Sequence, residues 1–260
     1  MIFTMYQVDA FAENVFEGNP AAVIPLETWL DDAIMQNIAL ENNLSETAFF
    51  IPHKTGYHIR WFTPNAEVDL CGHATLATSH VLFQHLNYSE NEIQFESRSG
   101  VLTVKKEGEL LVLNFPASKI ETQYIPPNLK TAFNIHPRKC YKGRDDIMLC
   151  FKNEDDIINL QPNFIKIIES NARGVICTAP SEKYDFVSRF FAPAVGVDED
   201  PVTGSAHTML IPYWAKQLNK NELLARQVSK RGGTIHCKHL DDRVEIGGKA
   251  ITYFIGEINF

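Results

Sequence analysis

Asp69-Leu70-Cys71-Gly72-His73-Ala74-Thr75 is the stretch on which the reading of this chain turns. A strand-like segment, Tyr57 to Phe62, leads into it through the turn Thr63-Pro64-Asn65. A helical pattern follows, with Leu76, Ala77, His80, Val81 and Gln84 on one face. The whole reads as a tight loop opening onto a helix, with reactive side chains at its mouth. Backbone N–H groups at such a helix start favour an anion, for example a substrate carboxylate.

The chain repeats this unit. Arg60-Trp61-Phe62-Thr63-Pro64-Asn65-Ala66-Glu67-Val68-Asp69 matches Arg189-Phe190-Phe191-Ala192-Pro193-Ala194-Val195-Gly196-Val197-Asp198, 129 residues later. Three more residues then enter the second copy, and Gly72-His73-Ala74 finds its counterpart in Gly204-Ser205-Ala206. Upstream, the apolar run Ala48-Phe49-Phe50-Ile51-Pro52 resembles Gly174 to Pro180. A period near half the chain is too long for a solenoid. It predicts two similar domains with a site between them.

At 260 residues there is room for two medium domains, each able to bury a core. Net charge is −8 with no dense basic run, which argues against nucleic acid and gives little attraction to anionic lipid. Met1 to Asp9 has no basic leader and reads as a first strand, and no apolar run is long enough to span a bilayer. The five cysteines, Cys71, Cys140, Cys150, Cys177 and Cys237, are odd in number and form no CxxC. A disulfide framework is therefore not expected, and a reducing cytoplasm is.

In chain order, strands are expected at residues 2–8 and 21–24, with a turn at Gly18-Asn19-Pro20 between them. Thr28 with Asp31 resembles a capping box, and a helix after it would bury Leu30, Ala33, Ile34 and Ile38 before ending at Asn42-Asn43. Strands then follow at 92–97, 101–104 and 110–115. Pro116 and Pro126-Pro127 bracket the domain boundary, giving domains 1–117 and 118–260, with the last strand free to return to the first domain. The second half opens with a short helix at 129–133, strands around 138–151 and a helix from Asn163 to Ser170. Pro212 should kink the second core helix or shift its start. Strands dominate and each half has one central helix, so the class is α+β.

Two loops at helix starts would bring Cys71 and His73 together with Asp200, Thr203, Ser205 and His207. Glu46 could reach them from its strand. It is either solvated at a strand edge or walled in by apolar groups; the second would suit proton transfer near neutral pH, because burial disfavours a charged carboxylate. Cys71 is equally a small buried hydrophobe, His73 a helix cap or a satisfied core histidine, and Asp200-Pro201 a turn. His236 and His239 would point to opposite faces of a strand, which disfavours a metal site there. Arg231-Gly232-Gly233 either contacts a substrate carboxylate or turns the chain. No GxGxxG, P-loop or HExxH occurs, so nothing asks for a nucleotide or flavin.

These stretches together resemble the PhzF family of phenazine-biosynthesis-like isomerases, of the diaminopimelate epimerase fold class. The match runs through Val8-Asp9-Ala10-Phe11, Gly18-Asn19-Pro20-Ala21-Ala22-Val23, Leu44-Ser45-Glu46-Thr47-Ala48-Phe49, Phe62-Thr63-Pro64, Val68 to Thr75, Asp198 to His207 and Arg231-Gly232-Gly233. The resemblance implies two like domains, each a strongly curved, mostly antiparallel sheet around a central helix. It implies a metal-free and cofactor-free enzyme, a homodimer, acting on a small carboxylate such as dihydro-hydroxyanthranilate. By the same resemblance Glu46 is the general base and then acid, with His73 and Asp200 assisting. Gly72, Gly204, Ser205, Thr203 and Cys71 would bind substrate. Amino-acid racemases of this fold class use two cysteines. Cys71 falls on the first position, but its counterpart in the second loop is Thr203, which leaves a two-thiol mechanism without a partner.

Overall fold

The structure, a computed structural model, describes residues 1–54 and 56–259. It divides into two compact units: Met1–Asn114 together with the chain from Gly247 onward, and Phe115–Ile246.

In the first unit, β1 (Ile2–Ala10) pairs antiparallel with β2 (Asn19–Pro25). Helix α1 (Asp32–Asn42) carries the chain to β3 (Glu46–His53), which runs parallel to β2. β4 (Gly56–Phe62) is antiparallel to β3, and the two-residue β5 (Glu67–Val68) folds back on β4. Helix α2 (Gly72–Gln84) follows, then β6 (Glu92–Ser97), parallel to β4, and the hairpin strands β7 (Gly100–Glu107) and β8 (Leu110–Pro116).

α1 differs from its sequence reading at its start. Asp31, not Thr28, holds the N-cap position, and no side chain caps the helix. The residues it buries are Met35 and Ala39, against Ile24, Phe49 and Phe62, whereas Ala33 is exposed. Its end is as expected: Asn43 takes φ +47°, a conformation Asn tolerates, and its N–H returns to the Ala39 carbonyl.

α2 has no solvent face over most of its length. Every residue from His73 to Ser79 is buried, as are Val81 and Leu82. Its polar residues are compatible with this because their hydroxyls bond back to the preceding turn: Thr75 to Cys71 O (2.6 Å), Thr78 to Ala74 O (2.8 Å) and Ser79 to Thr75 O (2.9 Å). The helix is thus the core of its unit, wrapped by strands.

The second unit runs β9 (Glu121–Gln123), α3 (Pro127–Lys130), β10 (Lys139–Lys142), β11 (Asp146–Cys150), α4 (Glu154–Ile158), α5 (Phe164–Ile168), β12 (Gly174–Pro180), β13 (Phe186–Ala192), β14 (Val197–Asp200), α6 (Gly204–Leu218), β15 (Glu222–Gln227), β16 (Gly233–Leu240) and β17 (Arg243–Gly248). β18 (Ala250–Asn259) then returns to the first unit, antiparallel to β1. The pairing in the second unit restates the first. β11 is parallel to β12, β12 antiparallel to β13, β13 antiparallel to β14, and β13 parallel to β15. That is the β2-β3-β4-β5-β6 pattern over again.

α6 runs unbroken through Pro212. Proline has no N–H for the carbonyl four residues back, that of Thr208. The Ser118 N–H takes that carbonyl at 3.0 Å, and the Ser118 and Thr208 hydroxyls meet at 2.7 Å. The vacancy left by the proline is filled by tertiary structure, so the helix does not have to end. All five cysteines are buried and free. No helix of the described residues is long and apolar enough to cross a membrane.

Candidate active site

The first unit assembles Glu46, Cys71 and His73 around a single imidazole. Glu46 is the first residue of β3 and pairs across the ladder with Ala21 of β2. Cys71 holds the N-cap position of α2 in an extended conformation, and His73 lies in the first turn. His73 Nε2 is 3.1 Å from Glu46 Oε2, and the two side chains are 7% and 18% exposed. On the other side of the ring, Nδ1 is 3.5 Å from Cys71 Sγ and 3.3 Å from Nδ2 of Asn19. Asn19 is fully buried and was not legible as a site residue, because Gly18-Asn19-Pro20 reads as a turn.

Electrostatics gives the ring its character. Burial alone would pull His73 down, but Cys71 and Glu46 beside it outweigh burial and hold it well above its ordinary value. Burial, and then Glu46, push the Cys71 thiol up, so it keeps its proton. One donor atom from each of Glu46, Cys71 and His73 lies within 4.8 Å of the others, a set able to ligate a cation. Since Cys71 and Glu46 address opposite nitrogens of one ring, the arrangement fits a proton path better than a shared ion.

The second unit builds a separate polar loop. Thr203 holds the N-cap position of α6, but its hydroxyl goes to Asp200 Oδ2 at 2.5 Å and does not cap the helix. Neither α2 nor α6 has a side-chain N-cap, and both begin at glycine, Gly72 and Gly204. Such starts suit an anion. Buried Gln227 clamps the loop, accepting from Thr203 N at 2.9 Å and donating to Asp200 O at 2.7 Å. Ser205 Oγ accepts from Arg173 Nη2 at 3.2 Å, and the same guanidinium forks onto Asp146. The hydroxyl hydrogen of Ser205 is thereby left for another acceptor. Neither Gln227 nor Arg173 carries a local sequence signal; only the fold brings them to the loop.

His207 is in the helix and not at its mouth. It is fully buried, its Nδ1 donates to Thr203 O at 2.8 Å, and burial pushes it down to about 4. A neutral buried histidine there is structural. The segment 231–233 makes a turn in which Gly232 takes φ +68° and donates its N–H to Ser229. His236 and Cys237 sit on alternate faces of β16, one exposed and one buried.

Comparison with known proteins identifies the family and the fold. A family model described as phenazine biosynthesis-like protein, PhzC-PhzF, matches residues 8–256. An uncharacterized isomerase of Pseudomonas aeruginosa is 49% identical over 259 residues, covering 100% of both chains. The crystal structure of a phenazine biosynthesis protein of the PhzF family from Enterococcus faecalis superposes with a TM-score of 0.97 at 48% identity, covering 100% of both chains. A hydroxyproline epimerase from Agrobacterium vitis shares the fold alone, with a TM-score of 0.64 at 8% identity over 99% of this chain and 92% of that one.

Proposed function

The chain belongs to the PhzC-PhzF family, and on that footing we propose that it is a cofactor-independent isomerase. It moves a proton on a small cyclic or unsaturated amino or hydroxy acid by carboxylate general acid–base catalysis. The observation that carries this reading is the buried contact of Glu46 Oε2 with His73 Nε2 at 3.1 Å.

Glu46 takes a proton from an activated C–H of the substrate and returns it to another carbon on the same face. His73, carrying its own proton, offsets the negative charge on Glu46 before the step and can restore a proton after it. The N–H groups at Gly72 and Gly204, with Ser205, Thr203 and Asp200, are assigned to the substrate's carboxylate and polar groups. Cys71 borders the reacting group as a neutral thiol. The protein is further proposed to be a homodimer, which light scattering on the purified chain tests.

The test of the chemistry is NMR in D2O with a panel of small acids that includes dihydro-hydroxyanthranilate, proline and diaminopimelate. Isomerisation or deuterium uptake by wild type that Glu46→Gln abolishes is the expected result. Uptake that survives Glu46→Gln but is lost in Cys71→Ala would transfer the role of base to the thiol. Tight binding of an acid with no exchange at all would make the protein a small-carboxylate binder on this scaffold.

A further inference from the structure

We propose that Asn19 is the positioning residue of His73: its carboxamide holds the Nδ1 edge of the ring so that the Nε2 edge is committed to Glu46. This rests on the isomerase reading of the Glu46–His73 pair, but its test does not need turnover.

Three observations converge on Asn19. Its Nδ2 lies 3.3 Å from His73 Nδ1, with the residue 0% exposed. It lies on β2, two residues before Ala21, which pairs with Glu46. Side chains two apart on a strand share a face, so Asn19 and Glu46 come from adjacent strands of one sheet face and meet the same ring from its two edges. The backbone just before Asn19 is fixed as well. Gly18 takes φ +68°, and a Cβ there would lie 2.2 Å from the Ala10 carbonyl oxygen. The chain is thus delivered to Asn19 in one conformation, which suits a side chain that must hold a ring.

The chemistry of the amide explains why asparagine suits the place. A carboxamide offers a donor at one end and an acceptor at the other. It can donate to a bare Nδ1 or, turned over, accept from Nδ1–H. His73 can then gain and lose a proton during the reaction without losing its partner. Aspartate could only accept and would pin a proton on Nδ1. Leucine could do neither. The ionisable groups that act on the ring are Cys71 and Glu46. Asp9, on β1 beside Asn19's strand, is engaged with the Phe16 N–H at 3.0 Å.

The experiment labels the protein with 15N-histidine and follows the ring nitrogens of His73 by NMR as a function of pH, with its signals among the nine histidines identified by their loss in His73→Gln. In Asn19→Asp the titration midpoint of His73 should rise by about one pH unit or more, the effect of an added adjacent carboxylate. In Asn19→Leu both ring-nitrogen signals should move, because Nδ1 keeps only the Cys71 neighbour. If Asn19→Asp does not fold, Asn19→Leu decides alone. Unchanged signals and midpoint in the folded variants overturn the proposal and make Asn19 part of the strand's packing only. A shifted His73 in a protein that turns over no acid would refute the isomerase reading and leave this one standing. Turnover lost in Glu46→Gln but an unmoved His73 in the Asn19 variants would do the reverse.

Discussion

Glu46 Oε2 and His73 Nε2 approach to 3.1 Å, with the imidazole side chain 7% exposed and the carboxylate 18%. Water is largely kept from the contact, so the proton on one group is felt by the other. Glu46→Gln keeps the volume and hydrogen-bonding capacity but removes the proposed base. The expected loss in solvent-exchange rate is about 10²- to 10⁴-fold, the usual contribution of a general acid–base group. The variant should keep the wild-type circular-dichroism spectrum, which separates lost chemistry from lost fold.

His73 also makes stability depend on pH. Its folded value stands above the ordinary 6.5 because Cys71 and Glu46 overcome the opposing effect of burial. The folded state therefore holds the proton more tightly than the unfolded state. The contribution is complete below 6.5 and disappears as pH rises through the folded value. Urea titrations between neutral and alkaline pH should show wild type losing stability over a range in which His73→Gln stays flat.

His207 runs the other way. Burial sets it at about 4 against an ordinary 6.5, so the unfolded chain takes up the proton first. Stability from this residue is present above 6.5 and is lost as pH falls towards 4. A gap of that size is worth about 3 kcal/mol when complete. Denaturant midpoints should decline over that acid range, and His207→Gln should remove part of the decline.

The repeat was legible in sequence, but its exact register was not. By sequence, Val68-Asp69 matches Val197-Asp198, with the three extra residues entering afterwards. The ladders place them earlier: Trp61 pairs with Val68, and Phe190 pairs with Asp200. The insertion lies in the hairpin around the 3-10 turn Pro193–Val195, which Gly196 closes at φ +84°. With it moved, Glu67 corresponds to Glu199, and each accepts a two-pronged arginine, Arg60 at 2.7 and 2.8 Å and Arg189 at 2.7 and 2.9 Å. A chance Val-Asp pair outweighed the glutamate because a linear match cannot see strand partners. The loop–helix starts were readable because Gly, His and Thr cluster there. Asn19, Arg173 and Gln227 were not, because each reaches its site from a distant strand or loop.

That corrected register carries a prediction. Arg189 is 12% exposed and, besides Glu199, donates to the carbonyls of Ile157 and Leu160 at 3.2 and 2.9 Å. Arg189→Leu strands a half-buried carboxylate and both carbonyls. A loss of about 3 kcal/mol or more in unfolding free energy is expected, as for other buried pairs cut on one side. Arg60 makes no such carbonyl contacts among the described residues, its Asp32 partner is 74% exposed, and Glu67 still has Arg98 at 2.6 Å when Arg60 is lost. Arg60→Leu should therefore cost less, and equal losses would contradict this account.

Gln227 tests the polar loop of the second unit. It is fully buried and holds Thr203 N and Asp200 O together. Gln227→Leu keeps most of the volume but leaves a buried N–H and carbonyl without that partner. Each such orphan costs about 1–3 kcal/mol, so thermal unfolding should fall by several degrees. If Asp200 and Thr203 contact substrate, KM should rise as the loop loosens. A lower melting temperature with unchanged KM would confine Gln227 to stability.

Cys71 separates the carboxylate reading from the two-thiol alternative. The thiol is buried, and burial together with Glu46 keeps it protonated, so it is a poor base at neutral pH. The equivalent N-cap in the second unit is Thr203, whose hydroxyl is engaged with Asp200. A two-thiol exchange across a carbon therefore has one thiol and no partner. Cys71→Ala should keep exchange within about tenfold of wild type, since it removes a neighbour of His73 and not the proposed base. Cys71 should also react with thiol reagents far more slowly than a free cysteine at the same pH. Loss of exchange in Cys71→Ala, with rapid labelling that substrate blocks, would assign the proton transfer to sulfur and reduce Glu46 to its charge partner.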